Sequence, residues 1–223
     1  MANHEQLSVS QLYVGDGVIL PKTSGKGLKV DTSEPTYPWH DIIGLVLPDQ
    51  QGVNAPTLDN YIGNIRRFRF SATDKCDNEF HIPHDYLPGS NLYLHYHWGH
   101  NGTSISGSIV ATMEFTYAKG YSQMATTTPG TLTFTNASLN LTKAPRHATQ
   151  IEELQLSTVG GGTNQLDTLL IEPDGIIGVN FTMGTIPTIS GGTASEPFVF
   201  FIDVHYQSTG IGSKQRNGPN FYT

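Results

Sequence analysis

The stretch SNLYLHYHW, residues 90–98, alternates large apolar side chains with polar and aromatic ones in the two-residue period of a β-strand. One face of such a strand packs in a core while the other meets solvent or a partner. The apolar face contains Leu92, Leu94, Tyr96 and Trp98, and the opposite face contains Tyr93, His95 and His97. The stretch therefore predicts a half-buried strand whose second face is rich in histidine.

The next segment, GSIVATMEFTY at residues 107–117, repeats the alternation and places an apolar residue at nearly every second position. A hairpin centred on the turn between the two segments would pair Trp98 with Ile105 and His95 with Ser108. Apolar and polar faces match in this register. We therefore predict that the two strands are neighbours in one sheet.

Strand-like segments continue along the rest of the chain, and turn residues recur about every ten positions. Glycine (24 residues) and proline (13 residues) are frequent, while charged residues make up only 14%, a composition that favours short strands over helices. These features predict an all-β protein. Residues 41–209 are expected to form an antiparallel β-sandwich or barrel.

Two further segments flank the predicted sandwich. Residues 1–40 are rich in turn residues and are predicted to be irregular, forming either an extended arm over a neighbouring subunit or a few short strands. Residues 210–223 form a polar, glycine-rich tail that ends in Phe221 and Tyr222, which either dock on a neighbour or fray. The sandwich is therefore expected to carry extended N- and C-terminal segments.

Charge and composition argue against several classes of function. The formal net charge is −7, and the densest basic stretch, RRFRF at residues 66–70, interleaves arginine with phenylalanine as a strand does, so we predict no direct nucleic-acid binding. No apolar run approaches the ~20 residues that span a bilayer, so we predict no membrane partner. The polar first ten residues hold no secretory signal, which predicts synthesis in a cytosol.

The only cysteine, Cys76, precludes an intrachain disulfide. It lies between acidic residues, which are expected to raise the pKa of its thiol rather than activate it. The sequence contains no Gly-x-Ser-x-Gly elbow and no phosphate-binding loop. We therefore predict no catalytic residues, no cofactor and no enzymatic activity.

The histidines raise the question of a metal. The spacing Gly-x5-His-x-His, ending at His95 and His97, fits the start of the cupin metal motif, but the glutamate that follows in that motif is missing. Asp203 and His205 share one face of the last predicted strand and could join His95 and His97 if the two strands are neighbours. A catalytic metal, a structural ion or interface cluster, and plain packing all remain open. We favour packing and predict no metal, with these four residues as the candidate ligands.

The segment FHIPHDYLPGSNLYLHYHW, residues 80–98, is followed by a long strand and resembles a group of small virion structural proteins of tailed bacteriophages. Trp-His-Asp at residues 39–41 and HATQIEE at residues 147–153 are similar too. The resemblance implies that residues 41–209 form an antiparallel, jelly-roll-like β-sandwich that assembles as a homotrimer on the particle surface. Such a protein would be a capsid decoration (cement) protein over seams between capsid subunits, or a tail-associated component.

The resemblance also implies partners and a location. The partners would be the major capsid protein or other virion proteins, and the chain would be made in the host bacterial cytoplasm. No catalytic residue carries over from the group. The candidate interface residues are His81, His84, Tyr93, Phe221 and Tyr222.

Two alternative functions remain from the residues themselves. One is a receptor- or glycan-binding module of a tail fibre or tail tip, in which Tyr93, Tyr117 and Tyr121 would stack on sugars. The other is a cupin-like metal-binding protein, which requires a bound ion and a preformed cavity.

Overall fold

The computed structural model describes residues 12–14, 17–21, 28–31, 37–48, 53–121, 123 and 130–210. The chain divides into two compact units, Met1–Tyr37 and Pro38–Thr223. In the first unit, β1 (Leu12–Val14), β2 (Gly17–Pro21) and β3 (Leu28–Asp31) form an antiparallel sheet in that order.

Residues 1–40 are thus not irregular throughout, and the alternative of a few short strands describes this part of the segment. A role as an arm over a neighbour stays a prediction. The predicted tail contacts, Phe221 and Tyr222, lie outside the described residues.

In the part of the second unit that the structure describes lie the remaining strands and a short 3₁₀-helix. The strands are β4 (Trp39–Gly44), β5 (Leu47–Pro48), β6 (Thr57–Ile62), β7 (Ile65–Arg69), β8 (Lys75–His81), β9 (Tyr93–Gly99), β10 (Ser104–Ala118), β11 (Gly130–Leu139), β12 (Gln150–Gln155), β13 (Ser157–Thr158), β14 (Leu166–Asp167), β15 (Ile176–Thr185), β16 (Thr188–Ser190) and β17 (Phe198–Gln207), and the 3₁₀-helix is Thr168–Leu170.

Two antiparallel sheets of six strands each build this unit. The histidine sheet has the order β12-β9-β17-β7-β6, with β4 also paired to β17. The long-strand sheet has the order β11-β10-β15-β8-β5, with β16 also paired to β10. A short parallel pair, β13 and β14, is separate. The predicted all-β, antiparallel fold class is confirmed.

The core lies between the two sheets. The Tyr96 ring of β9 meets Phe134 of β11 and Phe181 of β15 edge-on, with ring centroids 5.6 and 5.3 Å apart. Every residue of the predicted apolar face of β9 is fully buried. The alternation in SNLYLHYHW therefore identified the core side of this strand correctly.

The predicted hairpin between β9 and β10 is wrong. Strand β9 pairs with β12 and β17, whereas β10 pairs with β11, β15 and β16 in the opposite sheet. Residues 100–103 carry the chain across the core from one sheet to the other. The apolar faces of β9 and β10 pack across the sandwich, which requires the same alternation as pairing side by side.

Among the described residues, no helix is long and apolar enough to cross a membrane.

Candidate functional site

The outward face of the histidine sheet brings titratable side chains from four strands together. In the cross-strand register, Asp203 of β17 lies opposite His95 of β9, and His95 lies opposite Glu153 of β12. Two residues further along β17, His205 lies opposite Asp41 of β4. The condition that β9 and β17 be neighbours, left open by the sequence, is met in the structure.

We call Asp41, His95, Glu153, Asp203 and His205 the imidazole–carboxylate cluster. His205 Nε2 lies 2.7 Å from Asp41 Oδ1, and its Nδ1 makes a 2.8 Å hydrogen bond with Glu153 Oε2. His95 Nε2 lies 2.5 Å from Asp203 Oδ1, and its Nδ1 lies 3.4 Å from the same Glu153 oxygen. The two imidazole rings are 3.9 Å apart, centroid to centroid.

The inner half of this cluster is buried. His95 is 0% exposed and Asp203 is 2% exposed, while Asp41, Glu153 and His205 reach solvent. His95 Nε2 and Asp203 Oδ1 are close, but the geometry of their contact is not that of a hydrogen bond. Both ring nitrogens of His95 and Oδ1 of Asp203 thus lack a hydrogen-bond partner. Burial raises the pKa of Asp203, but the contacts and positive charge of His95 and His97 outweigh it, so the net pKa lies below 3.8.

His97 lies beside the cluster rather than inside it. Its ring stacks on Phe201 at a centroid distance of 4.1 Å, and its Nε2 is 3.5 Å from Asp203 Oδ1. The four residues whose ligand atoms lie within 4.8 Å of one another are Asp41, His95, Asp203 and His205. Three of the four candidate ligands from the sequence are therefore brought together, and Asp41 takes the place predicted for His97.

An open cleft adjoins the exposed half of the cluster. It has a volume of about 510 Å³ and is lined by Trp39, Tyr93, Glu153 and His205, and we call it the aromatic cleft. Trp39 is 51% exposed, and its ring meets Tyr93 edge-on at a centroid distance of 5.5 Å. The cleft thus combines an accessible indole with a carboxylate and an imidazole, the mixture of groups typical of small-ligand sites.

The predicted aromatic contacts divide three ways. Tyr93 lines the aromatic cleft, as a sugar-stacking role requires. Tyr117 is only 3% exposed, and its hydroxyl accepts a 3.0 Å hydrogen bond from the backbone N–H of Glu172, so its proposed exposure is wrong. It continues the buried alternation of β10. Tyr121 is exposed, but its hydroxyl donates to Asp174 away from the cleft.

His81 and His84, the two predicted interface histidines, meet at one carboxylate. The Nε2 atom of each lies 3.1 Å from Asp174 Oδ1, and the Tyr121 hydroxyl donates to Oδ2 at 2.6 Å. Asp174 has a φ of +61°, in the left-handed region that Asp and Asn tolerate best among residues with a side chain. A subunit interface at these histidines stays a prediction.

Asp174→Asn is expected to lower the free energy of unfolding by about 1–2 kcal/mol at pH 6, because it removes a charged acceptor while keeping the backbone conformation. Burial raises the pKa of Asp174, but the hydrogen bond from Tyr121 and the charges of His84 and His81 lower it by more. The net pKa is therefore below 3.8. A lowered pKa stabilises the folded state above pH 3.8, and the contribution disappears as the pH falls through the folded-state value. Urea unfolding from pH 6 to pH 2.5 measures this, and a gap between the two proteins that persists at pH 2.5 would contradict it.

The sequence predicted that acidic neighbours raise the pKa of the Cys76 thiol, and the direction is confirmed, with burial as the main cause. The side chain is fully buried, and burial, aided by the charge of Asp77 and opposed by a contact with Asn78, raises the pKa of its thiol to about 12. The thiol is therefore protonated and inaccessible at neutral pH, which does not suit a nucleophile.

Sequence reasoning missed Asp41 and Glu153 as members of the cluster. Asp41 lies in the short stretch Trp39-His40-Asp41, and Glu153 is one of two adjacent acids. Either residue reaches the histidines only because β4 pairs with β17 and β12 pairs with β9. The only local signal was the strand period, which places Glu153 and Ile151 on the same face.

No protein-family model and no curated protein sequence matches the chain. Three solved structures with weak similarity are carbohydrate-binding modules. A family 11 module from Clostridium thermocellum, in complex with a β-1,3-1,4-mixed-linked tetrasaccharide, has a TM-score of 0.31 and 12% identity, covering 80% of this chain and 93% of that chain. TmCBM61, in complex with β-1,4-galactotriose, has a TM-score of 0.24 and 12% identity, covering 76% of this chain and 86% of that chain.

The third structure is from carbohydrate-binding modules of the β-sandwich superfamily that have promiscuous specificity. It has a TM-score of 0.24 and 11% identity, covering 86% of this chain and 71% of that chain. TM-scores this far below 0.5 do not establish a common fold. The architecture and the site of this chain therefore rest on its own strands and side chains.

Proposed function

We propose that the chain is a non-enzymatic binding protein and that the aromatic cleft takes a neutral oligosaccharide. The observation that carries the proposal is the half-exposed Trp39 ring, held edge-on by Tyr93 beside Glu153 and His205. The apolar face of a sugar ring packs on an indole, and its hydroxyls donate hydrogen bonds to a carboxylate such as that of Glu153. A volume of about 510 Å³ suits a small part of such a chain.

The charge of the cleft favours a neutral sugar. Glu153 lines the cleft and Asp41 lies next to His205, so anionic groups outnumber cationic ones at neutral pH. The whole chain carries a formal net charge of −7. An acidic glycan would be repelled at this surface, whereas a neutral one gains charge-assisted hydrogen bonds to the carboxylates.

Trp39→Ala is the test of this proposal. We expect the wild-type chain to retain neutral oligosaccharides on a glycan array and Trp39→Ala to bind the best of them about 10- to 100-fold more weakly, because the packing of one aromatic ring is lost. Isothermal titration calorimetry with that oligosaccharide measures the change. Trp39→Phe retains an aromatic surface and is expected to fall between the two.

Tyr121→Ala provides the matched control. Tyr121 is an exposed aromatic residue outside the cleft, so this variant is expected to bind as the wild type does. Equal losses in Trp39→Ala and Tyr121→Ala, or a wild-type chain that retains no neutral glycan, would overturn the proposal.

A second proposal follows from the resemblance to virion structural proteins of tailed bacteriophages. We propose that the chain sits on a particle surface as a homotrimer in contact with the major capsid protein or another virion protein. The observation in its favour is that the histidine sheet leaves apolar side chains exposed: Ile43 of β4 at 62% and Ile151 of β12 at 55%. Contact with a neighbour would remove these side chains from water, and a glycan site suits the tail-associated alternative.

A further inference from the structure

We propose that Asp41, His95, Asp203 and His205 bind one divalent transition-metal ion of the Zn²⁺ type. The ligand atoms of these four residues lie within 4.8 Å of one another and come from three adjacent strands, β4, β17 and β9. Two imidazole nitrogens and two carboxylate oxygens are a donor set that first-row divalent ions accept. This assignment goes beyond glycan binding and does not depend on it.

The unpartnered groups of the cluster indicate where the ion belongs. His95 is fully buried, yet neither of its ring nitrogens makes a well-formed hydrogen bond, and Asp203 Oδ1 beside it also lacks one. Buried polar atoms are nearly always satisfied, so a nitrogen and an oxygen left together in this way call for a shared partner. A metal ion satisfies both atoms at once.

Glu153 determines which nitrogens remain for the ion. It accepts a 2.8 Å hydrogen bond from His205 Nδ1 and lies 3.4 Å from His95 Nδ1. With the proton of each ring on Nδ1, the lone pairs of both Nε2 atoms point toward the carboxylates of Asp41 and Asp203. A carboxylate that holds the far nitrogen of a histidine is the usual support for a metal-ligating imidazole.

The charge of the imidazole–carboxylate cluster also favours a bound cation. Asp41, Glu153 and Asp203 bring three carboxylates to one patch that contains two imidazoles. A lone pair on His95 Nε2 facing a carboxylate oxygen at 2.5 Å is repulsive unless a proton or a cation lies between the two atoms. A divalent ion relieves this contact and the one between His205 Nε2 and Asp41 Oδ1. In each pair the nitrogen and the oxygen would move apart to about 3.3 Å, the distance between two ligand atoms of a tetrahedral ion with bonds of about 2.0 Å.

The donor set also selects among ions. Ca²⁺ and Mg²⁺ prefer oxygen ligands throughout and gain little from two imidazoles. Zn²⁺ and its neighbours accept mixed nitrogen and oxygen ligands. We therefore expect binding of Zn²⁺ and Co²⁺ without competition from Ca²⁺.

The test is titration of Zn²⁺ into the purified full chain, after tag removal and chelator treatment, followed by elemental analysis. The wild-type chain is expected to retain about one Zn²⁺ per chain, and the Co²⁺ form is expected to show visible absorption of a four-coordinate site. His205→Gln and Asp41→Asn are each expected to weaken Zn²⁺ binding at least about 100-fold. Both residues reach solvent, so these variants are expected to fold.

His81→Gln is the matched control, because His81 also contacts a carboxylate at 3.1 Å but lies outside the cluster, and its Zn²⁺ binding is expected to equal that of the wild type. Three results would overturn the assignment: no retained Zn²⁺ in the wild type, equal binding by wild type and His205→Gln, or full competition by Ca²⁺. Trp39→Ala is expected to keep the Zn²⁺, so failure of the glycan proposal and failure of the metal assignment are distinguishable.

Discussion

Trp98→Ala is expected to lower the free energy of unfolding by about 3–5 kcal/mol, as the removal of a fully buried tryptophan generally does. The ring lies in the core between the two sheets, and its Nε1 donates a 3.0 Å hydrogen bond to Glu152 Oε1 on β12. Asn136 of β11 donates to the same oxygen at 2.8 Å, so the carboxylate keeps a partner after the substitution. The expected loss is therefore mainly one of packing. Urea unfolding followed by far-UV circular dichroism measures it.

The other tryptophan of the chain supplies the control. Trp39 is half-exposed, and Trp39→Ala is expected to change the free energy of unfolding by about 1 kcal/mol or less. Trp98→Phe keeps most of the buried volume and loses only the indole N–H, so it is expected to fall between the two alanine variants. A loss for Trp98→Ala no larger than that for Trp39→Ala would show that Trp98 does not help hold the sheets together.

The importance of Trp98 could be predicted from the sequence because strand faces are encoded locally. The period of two sorts neighbouring residues to opposite sides whatever the strand later pairs with. The same reasoning identified the buried side of β10, where Ile109, Ala111 and Met113 are fully buried. It also identified the face that His95 and His97 share, because both belong to one strand.

Pairing between strands could not be predicted in the same way. The apolar alternation of β9 and β10 is compatible with neighbours in one sheet and with facing strands across a core, and the structure has the second arrangement. The membership of Asp41 in the cluster depends on pairing between residues more than 160 positions apart, His205 with Asp41. Composition and local spacing do not show which distant strands pair. Three of the four candidate ligands could therefore be predicted from the sequence, but Asp41 could not.

Asn101 lies in the segment that connects the two sheets, and its substitution is expected to have a second large effect on the free energy of unfolding. This residue is 3% exposed and lies in the segment that leaves β9. Its side-chain Nδ2 donates to Thr193 Oγ1 at 2.5 Å and to the Tyr61 carbonyl at 3.3 Å. Its Oδ1 accepts from the Ala194 N–H at 3.4 Å. One amide thus joins the crossing segment to two other parts of the chain.

Asn101→Ala is expected to lower the free energy of unfolding by about 2–3 kcal/mol, because the hydrogen bonds of the amide are lost and their buried partners are left unsatisfied. The exposed Asn64→Ala is the control and is expected to change it by about 0.5 kcal/mol or less. Chemical denaturation of both variants at pH 7 measures the difference. A loss for Asn101→Ala as small as that for Asn64→Ala would contradict an anchoring role.

Asn101→Asp separates the two halves of the amide. The aspartate keeps an oxygen for the Ala194 N–H but replaces the Nδ2 donor with a second acceptor facing the Tyr61 carbonyl. The Thr193 hydroxyl can turn to donate to the new oxygen, but the Tyr61 carbonyl cannot, so a buried negative charge faces a carbonyl oxygen. Asn101→Asp is therefore expected to be at least as unstable as Asn101→Ala at pH 7. Protonation removes the charge, so the aspartate variant is expected to recover part of its stability relative to the alanine variant as the pH falls. An aspartate variant as stable as the wild type at pH 7 would show that the donated hydrogen bonds do not hold the crossing.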